Sequence, residues 1–361
     1  MSSDSIQRLF AIDLVLRRII SYLEPRDVKT ATTVCRHWQL MLSRQEFWRW
    51  SIVRVRDDNI STVINSERIL YVGRIDLERS AASPETLERF FSFIAEKNDL
   101  RVRKLTVTAG LDLSKIPAEI LSLAVVMFEH SKLVSTRLNP SQLELLFNLI
   151  NSEKEIKLKY LNLGMNDLSP LSAESLARSL VKLEGLSLRN SDISSEVFNL
   201  IFHSIAEEKS ILVRTLNVSK NQLVDIQPDL TSLALSRLKV VNFSSIDLED
   251  HQWSIIFQGI LESQHLFLTS LDISDNSLGA VSPELISRSL VRISSVSVSS
   301  TELSPEQINA IMTEIVSTAP SDLLLTRLNI RQTFKIEFYD LLLQTNYHGL
   351  EIFYSDGLLN C

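Results

Sequence analysis

The sequence predicts an α/β solenoid, with a curved parallel sheet inside and helices outside, preceded by a small three-helix unit. Three observations predict it. A short apolar pattern returns at regular steps, helix-start signals fall between its copies, and the first fifty residues are apolar and Trp-rich without sharing the pattern.

The pattern is first clean at Leu161-x-Leu163-x-x-Asn166-x-Leu168. It returns at Leu186-x-Leu188-x-x-Ser191-x-Ile193, Leu216-x-Val218-x-x-Asn221-x-Leu223 and Val241-x-Phe243-x-x-Ile246-x-Leu248. Two more copies are Leu271-x-Ile273-x-x-Asn276-x-Leu278 and Val296-x-Val298-x-x-Thr301-x-Leu303. The copies start at 161, 186, 216, 241, 271 and 296, so steps of 25 and 30 alternate and the period is 55 residues. Residues two apart in a strand share a face, which turns the Leu, Val and Phe of each triplet toward a core. This resembles the leucine-rich repeat, and the two-module alternation is similar to the ribonuclease-inhibitor-like type. The resemblance implies that Asn166, Asn221 and Asn276 bond backbone groups of their own turn and of the neighbouring repeat. Ser191, Ile246 and Thr301 then interrupt that ladder every second turn. Fainter copies stand at Leu70-Tyr71-Val72, Leu105, Leu133 (with Thr136 in the Asn slot), Leu328 and Leu350, giving about eleven repeats over residues 70–361.

Helices fill the returns. Ser304-Pro305-Glu306-Gln307 supplies an N-cap, a first-turn proline and a capping-box glutamine ahead of Ile308, Ile311 and Ile315. Ser83-Pro84-Glu85, Ser141-x-x-Glu144, Ser282-Pro283-Glu284, Ser172-Ala173-Glu174 and Pro117-Ala118-Glu119 read as comparable starts. No repeat buries its apolar face alone, so each is stable only through its neighbours.

Residues 1–8 are polar and read as a disordered start, whereas 9–50 read as three short helices. Ile12, Leu16, Ile19, Ile20 and Leu23 recur at helical spacing, Pro25 ends that helix, and Asp27 can cap the next. Trp38, Trp48 and Trp50 are more aromatic surface than so small a unit can bury. The run from Asp13 through Ile19-Ile20-Ser21-Tyr22-Leu23, then Pro25-Arg26-Asp27-Val28, Val34-Cys35-Arg36-His37-Trp38 and Phe47-Trp48, looks like an F-box. It departs from the family in lacking the Leu-Pro opening. Residues 51–69 would form the junction and cap of the solenoid, without a flexible linker.

Composition narrows the function classes. The chain has 361 residues, 45% of them hydrophobic, with only two cysteines, Cys35 and Cys361, so no disulfide framework or Cys-rich metal site can be built. That cysteine usage points to the cytosol or nucleus, and no apolar run is long enough to span a membrane. Residues 1–50 hold eight Lys and Arg against five Asp and Glu, while the whole chain carries −7, which argues against bulk nucleic-acid binding. The six histidines show no metal-ligand spacing, and neither a phosphate-binding glycine loop nor a nucleophile elbow is present. No cofactor and no catalysis are expected.

The F-box resemblance implies a substrate-recognition subunit of a cullin–RING ubiquitin ligase. It would bind a Skp-family adaptor, and through it a cullin, by Ile12, Ile19, Ile20, Leu23, Pro25, Val28, Val34, Cys35 and Trp38. The repeats would hold a protein substrate. Residues flanking the core positions of the strands point to the inner face of the sheet, which nominates Tyr160, Asn162, Arg189, Asn217, Asp272, Arg327, Asn329 and Arg331. Arg327 and Arg331 share a face and suit an acidic or phosphorylated segment near that end. The alternatives are a leucine-rich-repeat scaffold without a ubiquitin role and, on solenoid analogy alone, an enzyme regulator such as a GTPase activator.

Overall fold

The computed structural model describes residues 18–19, 30, 33, 52–56, 58–65, 72–77, 82–97, 100–107, 110–152, 156–318, 323–331, 350–354 and 357–360. The chain divides into two compact units, Met1–Asn166 and Asp167–Cys361.

In the first unit, strands β1 (Ile52–Arg54), β2 (Arg74–Asp76), β3 (Lys104–Val107), β4 (His130–Leu133) and β5 (Tyr160–Asn162) pair in parallel and in chain order. Between them run helices α1 (Ile60–Ile64), α2 (Pro84–Ala95), α3 (Ala118–Val125) and α4 (Pro140–Asn151). Register aligns Val53, Ile75, Leu105, Ser131 and Leu161 in one buried row. Phe90, Phe91, Phe128 and Phe147 fill the space behind it.

The second unit repeats the plan. Strands β6 (Gly185–Ser187), β7 (Thr215–Asn217), β8 (Val240–Asn242), β9 (Ser270–Asp272), β10 (Ser295–Ser297), β11 (Arg327–Asn329) and β12 (Glu351–Tyr354) are parallel, and β13 (Gly357–Asn360) turns back antiparallel on β12. The helices are α5 (Ala173–Ser179), α6 (Ser195–Glu207), α7 (Pro228–Arg237), α8 (Asp250–Glu262), α9 (Pro283–Leu290) and α10 (Pro305–Ser317). Their lengths explain the alternating steps: α6, α8 and α10 have 13 residues each, whereas α5, α7 and α9 have 7, 10 and 8. This is the leucine-rich-repeat architecture that the spacing predicts. Among the described residues, no helix is long and apolar enough to cross a membrane.

The asparagine ladder behaves as expected. Asn166, Asn221 and Asn276 are 3–5% exposed. Each Nδ2 donates to a carbonyl of the preceding repeat (Leu133, Leu188 and Phe243, at 2.6, 2.8 and 2.9 Å) and to one of its own turn (Leu163, Val218 and Ile273, each at 2.8 Å). Each Oδ1 accepts from the backbone N–H of the residue occupying the alternate slot, Thr136, Ser191 or Ile246, at 3.0 Å.

A second ladder runs under the helices. Gln142, Gln252 and Gln307 stand at the third helical position, where Oε1 accepts from the cap backbone of Asn139, Glu249 and Ser304. Nε2 reaches back into the preceding repeat, to Leu113 and Ile116, to Val224 and Ile226, and to Leu278 and Val281. Arg237 and Arg292 close helix C-termini, the first donating to Ala206 and Glu208 carbonyls and the second to those of Ile260, Leu261 and Ser263. Both are the cation-at-the-C-terminus arrangement that the helix dipole favours.

Three local expectations are corrected. The first strand read from Leu70-Tyr71-Val72 lies instead at Arg74–Asp76, and Leu70 and Tyr71 are outside the described residues. Val72, Ile75 and Leu77 admit two period-2 registers, and pairing of Ile75 with Val53 and Leu105 selects the later one. The sheet also begins earlier, with β1 inside the stretch read as a junction. Helix α4 is capped by Asn139 rather than Ser141, because Pro140 takes the first helical position and Gln142 completes the capping box. Ser83, Ser172 and Ser304 cap α2, α5 and α10 as read.

Close helix packing in the second unit depends on Gly259 of α8. A Cβ there would fall 2.4 Å from both Cβ and Oγ of Ser232 on α7. Gly259→Val should therefore push the two helices apart and destabilise the protein by about 1–3 kcal/mol, read as a lowered urea midpoint.

Candidate functional site

Pairing leaves two rows of side chains on the open face of each sheet, opposite the helices. In the first unit, one row is Ile52, Arg74, Lys104, His130 and Tyr160, and the other is Arg54, Asp76, Thr106, Lys132 and Asn162. Tyr160 stacks on His130 with ring centroids 4.5 Å apart and planes within 3°. Asn162 folds onto its own turn, its Oδ1 accepting from Gly164 N–H at 3.0 Å. Arg74 pairs with the buried Asp76 at 2.9 Å.

In the second unit, Asn217, Asn242, Asp272, Ser297 and Asn329 fall in one row across five strands. Four of them are joined by hydrogen bonds. Asn242 Nδ2 donates to Asp272 Oδ2 (2.9 Å), Ser274 Oγ lies 2.7 Å from both Asp272 Oδ1 and Ser297 Oγ, and Asn329 Nδ2 donates to Ser297 Oγ (3.0 Å). Asn217 takes part separately, accepting from the backbone and hydroxyl of Ser219. A charge among neutral amides and hydroxyls is thereby fixed in place, giving a preorganised polar face of modest net charge. The Ser-rich strand β10 belongs to this network through Ser297.

At the end of that row, Arg327 Nε donates to Glu351 Oε2 at 2.9 Å, and the guanidinium carbons of Arg327 and Arg331 lie 5.8 and 5.4 Å from the centre of the Phe353 ring. The two arginines are brought together as their spacing predicts, but Glu351 already occupies the first. Arg189 is half-buried beside Leu188, within the second unit and well along the sheet from this pair. Tyr160 and Asn162 belong to the first unit.

Of the residues nominated for the adaptor, Ile19 alone is described: it is helical and 37% exposed, a large apolar side chain reaching solvent. Ile12, Ile20, Leu23, Pro25, Val28, Val34, Cys35 and Trp38 lie outside the described residues.

A family model described as F-box-like matches residues 13–53. A second, described as Leucine Rich Repeat, matches residues 267–289, which contain β9 and most of α9. The chain joins an F-box-like domain to leucine-rich repeats. No curated protein matches it. Among solved structures, an internalin (inlF) from Listeria monocytogenes is similar at 14% identity and a TM-score of 0.45, over 85% of this chain and 81% of that one. The TLR13–ssRNA13 complex is similar at 15% identity and a TM-score of 0.46, over 83% of this chain and 45% of the other. The leucine-rich repeat domain of APL1B follows at 13% identity and a TM-score of 0.38, over 77% and 73%. The F-box-like match ends inside β1, so it runs directly into the first strand of the repeats.

Sequence reasoning missed several polar residues of the repeat faces. Lys104 and Lys132 were hidden because their strands depart from the clean pattern, one copy being stretched and the other carrying Ser131 in an apolar slot. Register with Tyr160–Asn162 is what places both on the open face. On the helical side, Asp229, Ser232, Leu233, Ser254, Ile255 and Gln258 line part of a hollow of about 700 Å³ between α7 and α8. Its lining mixes small polar and apolar groups and brings no catalytic constellation together.

Proposed function

We propose that this protein is a substrate-recognition subunit of an SCF-type ubiquitin ligase. The observation that carries the reading is the union of an F-box-like stretch at residues 13–53 with repeats whose open faces are lined by preorganised polar side chains. The F-box-like domain docks on a Skp-family adaptor and through it on a cullin, with Ile12, Ile19, Ile20, Leu23, Pro25, Val28, Val34, Cys35 and Trp38 as the contact set. The exposure of Ile19 supports an apolar contact there.

A protein substrate is held on the open faces of the sheets, with Tyr160 and Asn162 in one unit and Arg189, Asn217, Asp272, Arg327, Asn329 and Arg331 in the other. The protein makes and breaks no bond itself. It contributes proximity and orientation, so that a lysine of the substrate meets the activated ubiquitin. Its place of action is the cytosol or the nucleus.

Affinity purification from cells, with the intact chain and with residues 1–50 deleted, tests this. The intact chain should bring down adaptor, cullin and substrate, whereas the deleted chain should keep the substrate and lose the other two. An intact chain that brings down substrate but neither adaptor nor cullin would assign the protein to a plain repeat scaffold.

A further inference from the structure

The open face of the first unit differs from that of the second in its charges. In the second unit the Asp272 carboxylate is held by Asn242 and Ser274, and Arg327 is paired with Glu351. In the first unit, Arg54, Arg74, Lys104 and Lys132 share the face, among the described residues, with one carboxylate, Asp76, which is buried against Arg74. Lys104 and Lys132 are exposed, and among the described residues neither ammonium has an ion pair or a hydrogen bond. They sit on adjacent strands, Lys104 opposite His130 and Lys132 opposite Thr106. That makes them diagonal neighbours, their Cα atoms about 8 Å apart from ~4.8 Å between strands and ~6.6 Å along one. Two like charges at this distance repel, and nothing in the fold requires them there; a bound anion would relieve the repulsion.

We infer that this face, between β2 and β5, binds an extended acidic segment of the protein substrate, with carboxylates or phosphates on Lys104 and Lys132. The inference rests on the reading above that the open faces hold substrate, and it names the class of segment taken. In an extended chain, side chains of residues two apart lie on one side about 6.7 Å from each other, close to the separation of the two lysines. An acidic residue at every second position therefore meets both cations at once. The stacked His130–Tyr160 pair continues the Lys104 row as a flat, rigid wall on which the rest of the segment lies. Asn162, beside Lys132 in the other row, offers its side-chain N–H groups to the segment's backbone.

Charge complementarity selects a peptide over a nucleic acid. A phosphate backbone needs a longer track of cations, and this patch is two free lysines wide on a chain of pI about 5.5. The Arg327 and Arg331 end, with Glu351 in place, is the weaker candidate for the same ligand.

The test is fluorescence anisotropy with the full chain and three probes: a dodecapeptide of alternating Glu and Ser, the same peptide with Gln for Glu, and a single-stranded RNA of equal length. The Glu peptide should bind at least about tenfold more tightly than the Gln peptide, an advantage that shrinks as salt rises. Lys104→Glu with Lys132→Glu should remove that advantage, and Lys104→Gln with Lys132→Gln should reduce it. Both lysines are exposed, so circular dichroism of the variants should match the wild type. Equal binding of the Glu and Gln peptides, RNA binding tighter than the Glu peptide, or undiminished binding by the charge-reversed variant would each overturn the assignment. Adaptor retention is read separately, so loss of the ligase reading and loss of this one are distinguishable.

Discussion

Asn221→Leu should lower the stability of the protein by about 3 kcal/mol, a loss larger than the change in side-chain volume can account for. The amide of Asn221 holds two carbonyls, Leu188 and Val218, and one N–H, that of Ser191, at 2.8–3.0 Å in a position 5% exposed. Leucine fills the space but leaves those three groups buried without a partner, and each such group costs about 1–3 kcal/mol before the surroundings relax. Asn166→Leu and Asn276→Leu should behave alike, because their bonds match in kind and length. Urea titration followed by circular dichroism reads the effect. A midpoint unchanged from wild type in all three variants would show that the ladder does not hold the repeats together.

Trp253→Ala should cost about 3–5 kcal/mol, the range for emptying a large aromatic site in a packed core. Trp253 is fully buried on α8, with its ring centroid 6.0 Å from that of Phe257. Trp253→Phe should be much milder, less than about 1.5 kcal/mol. The reason is that Trp253 Nε1 has no hydrogen-bond partner among the described residues, so phenylalanine removes a buried donor that gains nothing from the fold. Equal damage from the two substitutions would mean that the indole N–H is satisfied after all.

Much of this fold is legible in the sequence because its dominant signal is periodic. The period of 55 residues locates Leu161, Leu216 and Leu271 in the core and Asn166, Asn221 and Asn276 in their buried slots without any structure. Proline and serine at helix starts are equally local signals, and Ser83 and Ser304 cap as read. What stays hidden depends on which neighbour is adjacent in space. Whether the strand is at Leu70 or Ile75 is decided by pairing with Val53 and Leu105, which no local pattern encodes. The glutamine ladder reads locally as a capping box, whereas its second half is a reach into the preceding repeat. A signal for it does exist: Gln252 and Gln307 are one period apart, and Gln142 two periods before Gln252.

The open faces were legible in part. The alternation of strand residues places Asn217, Asp272 and Asn329 in one row, but not the bonds from Asn242 to Asp272 or from Asn329 to Ser297 that tie it together. Arg327 and Arg331 read as two available cations, and only the pairing of β11 with β12 brings Glu351 against the first of them. Lys104 and Lys132 escaped for the converse reason, since their strands are the least regular copies of the pattern.

Purified components show whether the F-box-like stretch ties these repeats to a ligase. A Skp-family adaptor and the full chain are mixed and passed over a size-exclusion column, beside a variant carrying Ile20→Asp and Pro25→Ala. Intact chain and adaptor should leave the column together, and the double variant, with the circular dichroism of the wild type, should leave it apart from the adaptor. Separate elution of the adaptor from the intact, folded chain would contradict that tie.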